Sequence, residues 1–193
     1  ASSVEASTIV YGKPVTDRAT GNAAGNLIIN NTQVITQAGV VTKLEAWAET
    51  LGDGNAYAVL FSPSGVVTGI QLMKFTALGS ASFITGLNFT DLGGTGSNLV
   101  YAGYKIGLFQ PTGGAGISVD NSGLPPNPSA SDFWAGIAST TPVVGSSYTF
   151  NTFASPRDYS FQVTVSDVPA PPTLWLLGST LAGWAFSRRN SAS

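Results

Sequence analysis

The chain has 193 residues, of which 43% are apolar and only 9% charged, with a formal net charge of −2. The apolar share excludes intrinsic disorder, and without a basic excess nucleic acid is excluded as a partner. Neither cysteine nor histidine is present, which removes disulfides, thiol chemistry, the commonest general base and the commonest transition-metal ligand.

Residues 1–6 read as a loose start, and a signal peptide removed ahead of Ala1 is expected. Thr8 to Val15 reads as a first strand, and Asp17 to Asn26 as a polar loop. Leu27–Ile29 and Gln33–Thr36 read as two short strands around an Asn30-Asn31 turn. From Val40 the alternation is clean: Val40, Thr42, Leu44, Ala46 and Ala48 face one way, and Lys43, Glu45, Trp47 and Glu49 the other. A loop at Leu51–Asn55 leads to Tyr57, Val59 and Phe61, which are expected to point inward.

Val66–Phe75 and Ala81–Phe89 read as further strands, and Asp91–Asn98 as a glycine-rich loop. Leu99–Gln110 follows, with Tyr104, Ile106 and Leu108 in alternation. After a short strand at Ile117–Val119, Asn121–Asp132 is the longest irregular stretch. Phe133–Ile137 and Ser147–Phe153 read as strands. Tyr159, Phe161, Val163 and Val165 then alternate with polar neighbours, the clearest half-buried strand in the chain. About ten short strands separated by Gly/Pro turns imply an all-β domain over residues 1–167, an antiparallel β-sandwich of jelly-roll type. The alternation implies one wet face for each sheet.

The C-terminal stretch differs. Val168-Pro169-Ala170-Pro171-Pro172 is a proline-rich linker, and residues 173–187 contain no charge and form the expected transmembrane helix. Residues 188–193 make a basic tail. Trp175 and Trp184 stand near the helix ends as interfacial aromatics, and Arg188 and Arg189 can snorkel. The positive-inside rule puts the arginines in the cytoplasm and the domain in the periplasm, a single-pass inner-membrane arrangement. Gly178, Ala182 and Ala185 share one helical face, where small residues let a neighbouring helix approach. Val165 and Thr173 are only eight positions apart, at most about 28 Å when extended. The domain is therefore expected close to the membrane.

This tail resembles the PEP-CTERM sorting signal of exported bacterial proteins. The match rests on Val168-Pro169-Ala170-Pro171, the glycine-containing apolar segment and Arg188-Arg189. The family's glutamate is Ala170 here. The resemblance covers residues 168–190 and implies handling by an exosortase.

Catalytic constellations are absent from the sequence. No Gly-x-Ser-x-Gly elbow occurs, and Glu45 and Glu49, four apart on one strand, lie roughly 13 Å from each other, too far for a glycosidase pair. Asp53, Asn55, Asp91, Asp120 and Asn121 are oxygen-rich loop positions of the type calcium uses, so calcium is the one cofactor left open. Trp47 and Trp134 lie beside carboxylates and are candidate contacts for a partner protein or a carbohydrate. The expected role is a non-enzymatic accessory subunit of a membrane complex, for example a respiratory or photosynthetic one, touching lipid and other membrane subunits. The alternative is an exported surface or matrix protein that binds carbohydrate.

Overall fold

In a computed structural model, the described residues are 6–18, 20–21, 25–79, 84, 87–89, 98–121, 134–153 and 157–167. The strands are β1 (Thr8–Gly12), β2 (Thr20–Gly21), β3 (Asn26–Val34), β4 (Gly39–Ala46), β5 (Ala48–Thr50), β6 (Asn55–Phe61) and β7 (Val67–Lys74). They continue with β8 (Leu99–Val100), β9 (Lys105–Gln110), β10 (Gly116–Asn121), β11 (Trp134–Ala138), β12 (Asn151–Thr152), β13 (Arg157–Tyr159) and β14 (Phe161–Ser166). The domain is all-β, its strand pairs are antiparallel, and no helix occurs among the described residues. The expected linker, transmembrane helix and basic tail, residues 168–193, lie outside the described residues, as do the Asn121–Asp132 loop beyond its first residue and most of Ala81–Phe89.

One sheet runs β1-β14-β4-β8 and another β12-β11-β3-β9-β6-β7, while β10 carries β13, β2 and β5. A single core joins these layers. Val41, Leu44, Val163 and Val165 of the four-stranded sheet pack in one cluster with Ile28, Ala58, Leu60, Ile106 and Leu108 of the six-stranded sheet. Removing this apolar surface from water is the main favourable term in the fold.

The expectation of one wet face fails for the six-stranded sheet. Leu27, Ile29, Val59, Phe61, Ile70 and Phe109 point away from the shared core yet are buried in a second cluster. Val144, Tyr148 and Phe150 cover them. Phe150 meets Phe61 edge-on at 5.5 Å. Runs such as Ala58–Phe61 and Ile106–Gln110 are therefore buried at every position, the pattern of strands covered on both faces. Most of the expected Ser147–Phe153 strand is this cover, and only Asn151–Thr152 pairs as a strand.

Two local departures have side-chain causes. Asn30-Asn31 does not break the chain, because β3 runs through it. The Asn30 carboxamide oxygen accepts from Thr32 N–H at 3.0 Å, Thr32 Oγ1 at 3.1 Å and Gln33 N–H at 2.9 Å. This is turn chemistry spent inside a strand, and the β3–β9 register shifts there. In β4, Lys43 faces Thr164 while Val41 faces Val165, so Thr42 is an extra residue. That bulge buries Val41 in place of Val40 and leaves the expected Leu44, Ala46 and Ala48 inward.

Candidate functional site

The place where the domain hands over to its C-terminal motif is built by β14. Phe161, Val163 and Val165 alternate inward, as the sequence implied, and are essentially inaccessible. β14 lies between β1 and β4, with Thr8 opposite Ser166 on one side and Val40 opposite Ser166 on the other. The first strand of the domain therefore holds the last. Antiparallel neighbours on both sides satisfy the strand's backbone groups, which an edge strand would leave open.

The strand ends in a clamp. Asp167 N–H donates to the Ser7 carbonyl at 2.9 Å. Its carboxylate accepts from the Ser7 hydroxyl and from the Gln37 side-chain amide. β1 is fixed in turn: Tyr11 Oη lies 2.9 Å from Thr36 Oγ1 and accepts from Thr36 N–H at 3.1 Å, and Gly12 N–H donates to Gln33 Oε1 at 2.7 Å. Gly39 is required where β4 meets the end of β14, since a Cβ there would stand 2.4 Å from the Ser166 carbonyl oxygen. The sequence carried no signal for the Ser7–Gln37–Asp167 clamp, because its members come from three distant segments.

The polar residues singled out as calcium-like are otherwise engaged. Asp53 Oδ1 accepts from Asn55 N–H at 2.8 Å, a turn-stabilising bond. Asp120 is buried and paired with Arg18 Nη1 at 2.8 Å. Arg18 also donates from Nη2 to the Pro14 carbonyl at 3.0 Å, and its backbone N–H donates to Ser118 Oγ at 2.7 Å. Residues 13–18 thus form a strap over β10 and β13, with Lys13 reaching Asp158 at 3.9 Å. Asp91 lies outside the described residues, and of Asn121 only the backbone is described. Among the described residues no group of three or more acidic, His or Cys side chains could hold a metal.

Glu45 pairs with Lys43 at 3.0 Å. The Glu49 carboxyl is held above its usual range by partial burial, by its hydrogen bond with Asp17 and by that residue's charge. Two carboxyl groups in contact cannot both ionise cheaply. Trp47 is half-buried. Its backbone donates to the Ser160 carbonyl at 3.1 Å, and its ring lies 3.0 Å from where a Cβ on Gly79 would be. The loop carrying Gly79 thus shields part of a ring expected to be open. Trp134 sits in β11 opposite Asn30, and its side chain lies outside the described residues. Val168, Pro169, Pro171, Pro172, Trp175, Gly178, Ala182, Trp184, Ala185, Arg188 and Arg189 also lie outside them. No described helix is long and apolar enough to cross a membrane.

Residues 167–189 match the family model of the PEP-CTERM protein-sorting motif. The motif marks an exported protein sorted by an exosortase, and its first matched residue is the clamped Asp167. Comparison with curated proteins and with solved structures returned no match.

Proposed function

We propose that this chain, whose residues 167–189 carry the PEP-CTERM protein-sorting motif, is a non-enzymatic exported β-domain. An exosortase separates it from its apolar tail and passes it to the cell surface or matrix. The observation that carries this reading is the coincidence of the motif's start with the last clamped residue of the domain. A processing signal placed there releases a finished domain, because the last described strand, β14, ends at Ser166, ahead of it.

The alternative of a permanent accessory subunit needs the apolar segment to stay and pack on other membrane proteins. A tail that serves as a sorting signal is removed, so the surface reading fits the motif better. Two further features support a binding or structural role over catalysis. Histidine and cysteine are absent from the whole chain, and the acidic residues Glu45, Asp53 and Asp120 are already engaged with protein groups.

The strand order supports a jelly roll. Eight strands in chain order, β1, β3, β4, β6, β7, β8, β9 and β14, divide into paths of first-eighth-third-sixth and second-seventh-fourth-fifth. Two interlocked Greek keys give that order, with β11 and β12 added beside β3. Fractionation of cells with and without exosortase tests the proposal. The domain should leave the membrane fraction only when the exosortase is present. Equal membrane retention in both strains would favour the permanent subunit.

A further inference from the structure

Three neighbouring strands of the six-stranded sheet, β9, β3 and β11, finish at one end around a concave site. Gly25 stands just before β3, Pro111 and Thr112 just after β9, and Ser139 and Thr141 just after β11. With Phe109 they line a cavity of about 280 Å³, close to the roughly 300 Å³ at which small-molecule clefts begin.

The frame is fixed by backbone bonds. Gly25 N–H donates to the Gln110 carbonyl, and Ser139 N–H donates to the Gly25 carbonyl. Ser139 holds φ of +52°, the sole non-glycine residue in the left-handed region among the described residues. That conformation costs roughly 1 kcal/mol for a residue with a side chain, and here it turns the chain at the cavity wall. The neighbouring segment is tied down as well, since Tyr148 Oη accepts from Val143 N–H at 2.9 Å and donates to the Thr141 carbonyl at 3.3 Å.

The lining chemistry is uniform. Among the described residues no charged side chain contributes to it, and none of these lining groups offers an anion or a cation a counter-charge. Thr112, Ser139 and Thr141, each carrying a hydroxyl, line it together with the apolar Phe109 and Pro111. A hydroxyl both donates and accepts, which suits a ligand whose own groups do the same. Phe109, held on its other side by Tyr57 at 5.7 Å between ring centroids, supplies a rigid patch for C–H groups.

We propose that this cavity binds one residue of a neutral glycan, with hydroxyls facing Thr112, Ser139 and Thr141 and a C–H edge against Phe109 and Pro111. The proposal deepens the reading as a surface or matrix protein but is tested by binding alone, independently of how the tail is processed.

The test uses the full chain in detergent micelles, titrated with cellobiose, maltose, lactose and chitobiose, and with galacturonate disaccharide as the charged comparison. Saturation-transfer NMR should show at least one neutral disaccharide bound, and the charged one should bind at least tenfold more weakly. Thr112→Val and Ser139→Gly remove hydroxyls, the second while keeping the left-handed backbone free of strain. Together they should weaken binding tenfold or more with the unliganded melting temperature held or raised. If the pair lowers that temperature, Thr141→Val alone, farther from the turn, must weaken binding at least threefold. Absence of binding by all four neutral sugars, equal binding of the charged one, or affinity indifferent to these variants would overturn the proposal.

Discussion

Ser7 and Asp167, 160 positions apart, are joined twice: Asp167 N–H donates to the Ser7 carbonyl at 2.9 Å, and the Ser7 hydroxyl donates to the Asp167 carboxylate. The two ends of the domain are thereby locked at the residue where the sorting motif begins. The clamp is exposed on the Ser7 side, so water competes for it. Asp167→Ala should lower stability by about 1 kcal/mol and the melting temperature by roughly 2–4 °C. Thermal unfolding followed by circular dichroism measures this, and an unchanged melting temperature would show the clamp to be idle.

The close approach of β1 to β14 gives a steeper expectation. Gly12 has φ of +111°, and a Cβ there would stand 2.2 Å from the Phe161 carbonyl oxygen. Gly12→Ala must push β1 away from β14 and should cost more than about 2 kcal/mol. Gly65 has φ of +82° with nothing within 4 Å, so Gly65→Ala carries backbone strain only, about 1 kcal/mol. Urea midpoints of the two variants should differ in that order. Equal midpoints would mean that β1 yields without loss.

The buried ion pair responds differently to single and double substitution. Arg18 and Asp120 side chains are 8% and 1% exposed, at 2.8 Å. Arg18→Met leaves the Asp120 charge without this partner in the interior and should cost about 3–5 kcal/mol. Combining it with Asp120→Leu should restore most of that loss, because the desolvation of both charges disappears. A double variant as unstable as the single one would show that the strap over β10 needs the charges themselves.

Much of the domain was legible because its strands alternate. Leu44, Ala46 and Ala48, Ile106 and Leu108, and Tyr159, Phe161, Val163 and Val165 all face the core as their spacing implied. The misreadings have local causes. Asn30 looked like a turn because its side chain bonds as a turn residue does, yet β3 continues past it. Thr42 shifted the register because nothing in a period-two pattern marks a bulge. The second buried face was missed because its cover, Val144 to Phe150, pairs with no strand along most of its length. The tail motif was readable from residues alone, whereas the clamp beneath it and the hydroxyl-lined cavity depend on contacts between distant segments.

Alkaline pH should expose the burial of Tyr159. Its ring is fully enclosed, and burial pushes its hydroxyl up to about 12 from the ordinary 10, with Arg157 pulling weakly the other way. The folded state thus keeps a proton that the unfolded chain releases. The stabilisation is fully present below pH 10 and is lost as pH rises from 10 toward 12, by up to about 2–3 kcal/mol. Tyr159→Phe should remove that slope, with a cost of about 1 kcal/mol at neutral pH for the lost bond to Arg157 Nη1. Urea unfolding at pH 9, 10.5 and 11.5 reads both effects, and a slope that persists in the variant would place its origin elsewhere.

The measurement that bears most directly on the whole account is the intact mass of the mature protein from cells that contain an exosortase. The account predicts a species cut between Asp167 and Thr173, carrying residues through Asp167 and lacking the apolar segment 173–186. A protein that still carries the segment 173–186 in those cells, recovered entirely from the membrane, would contradict it.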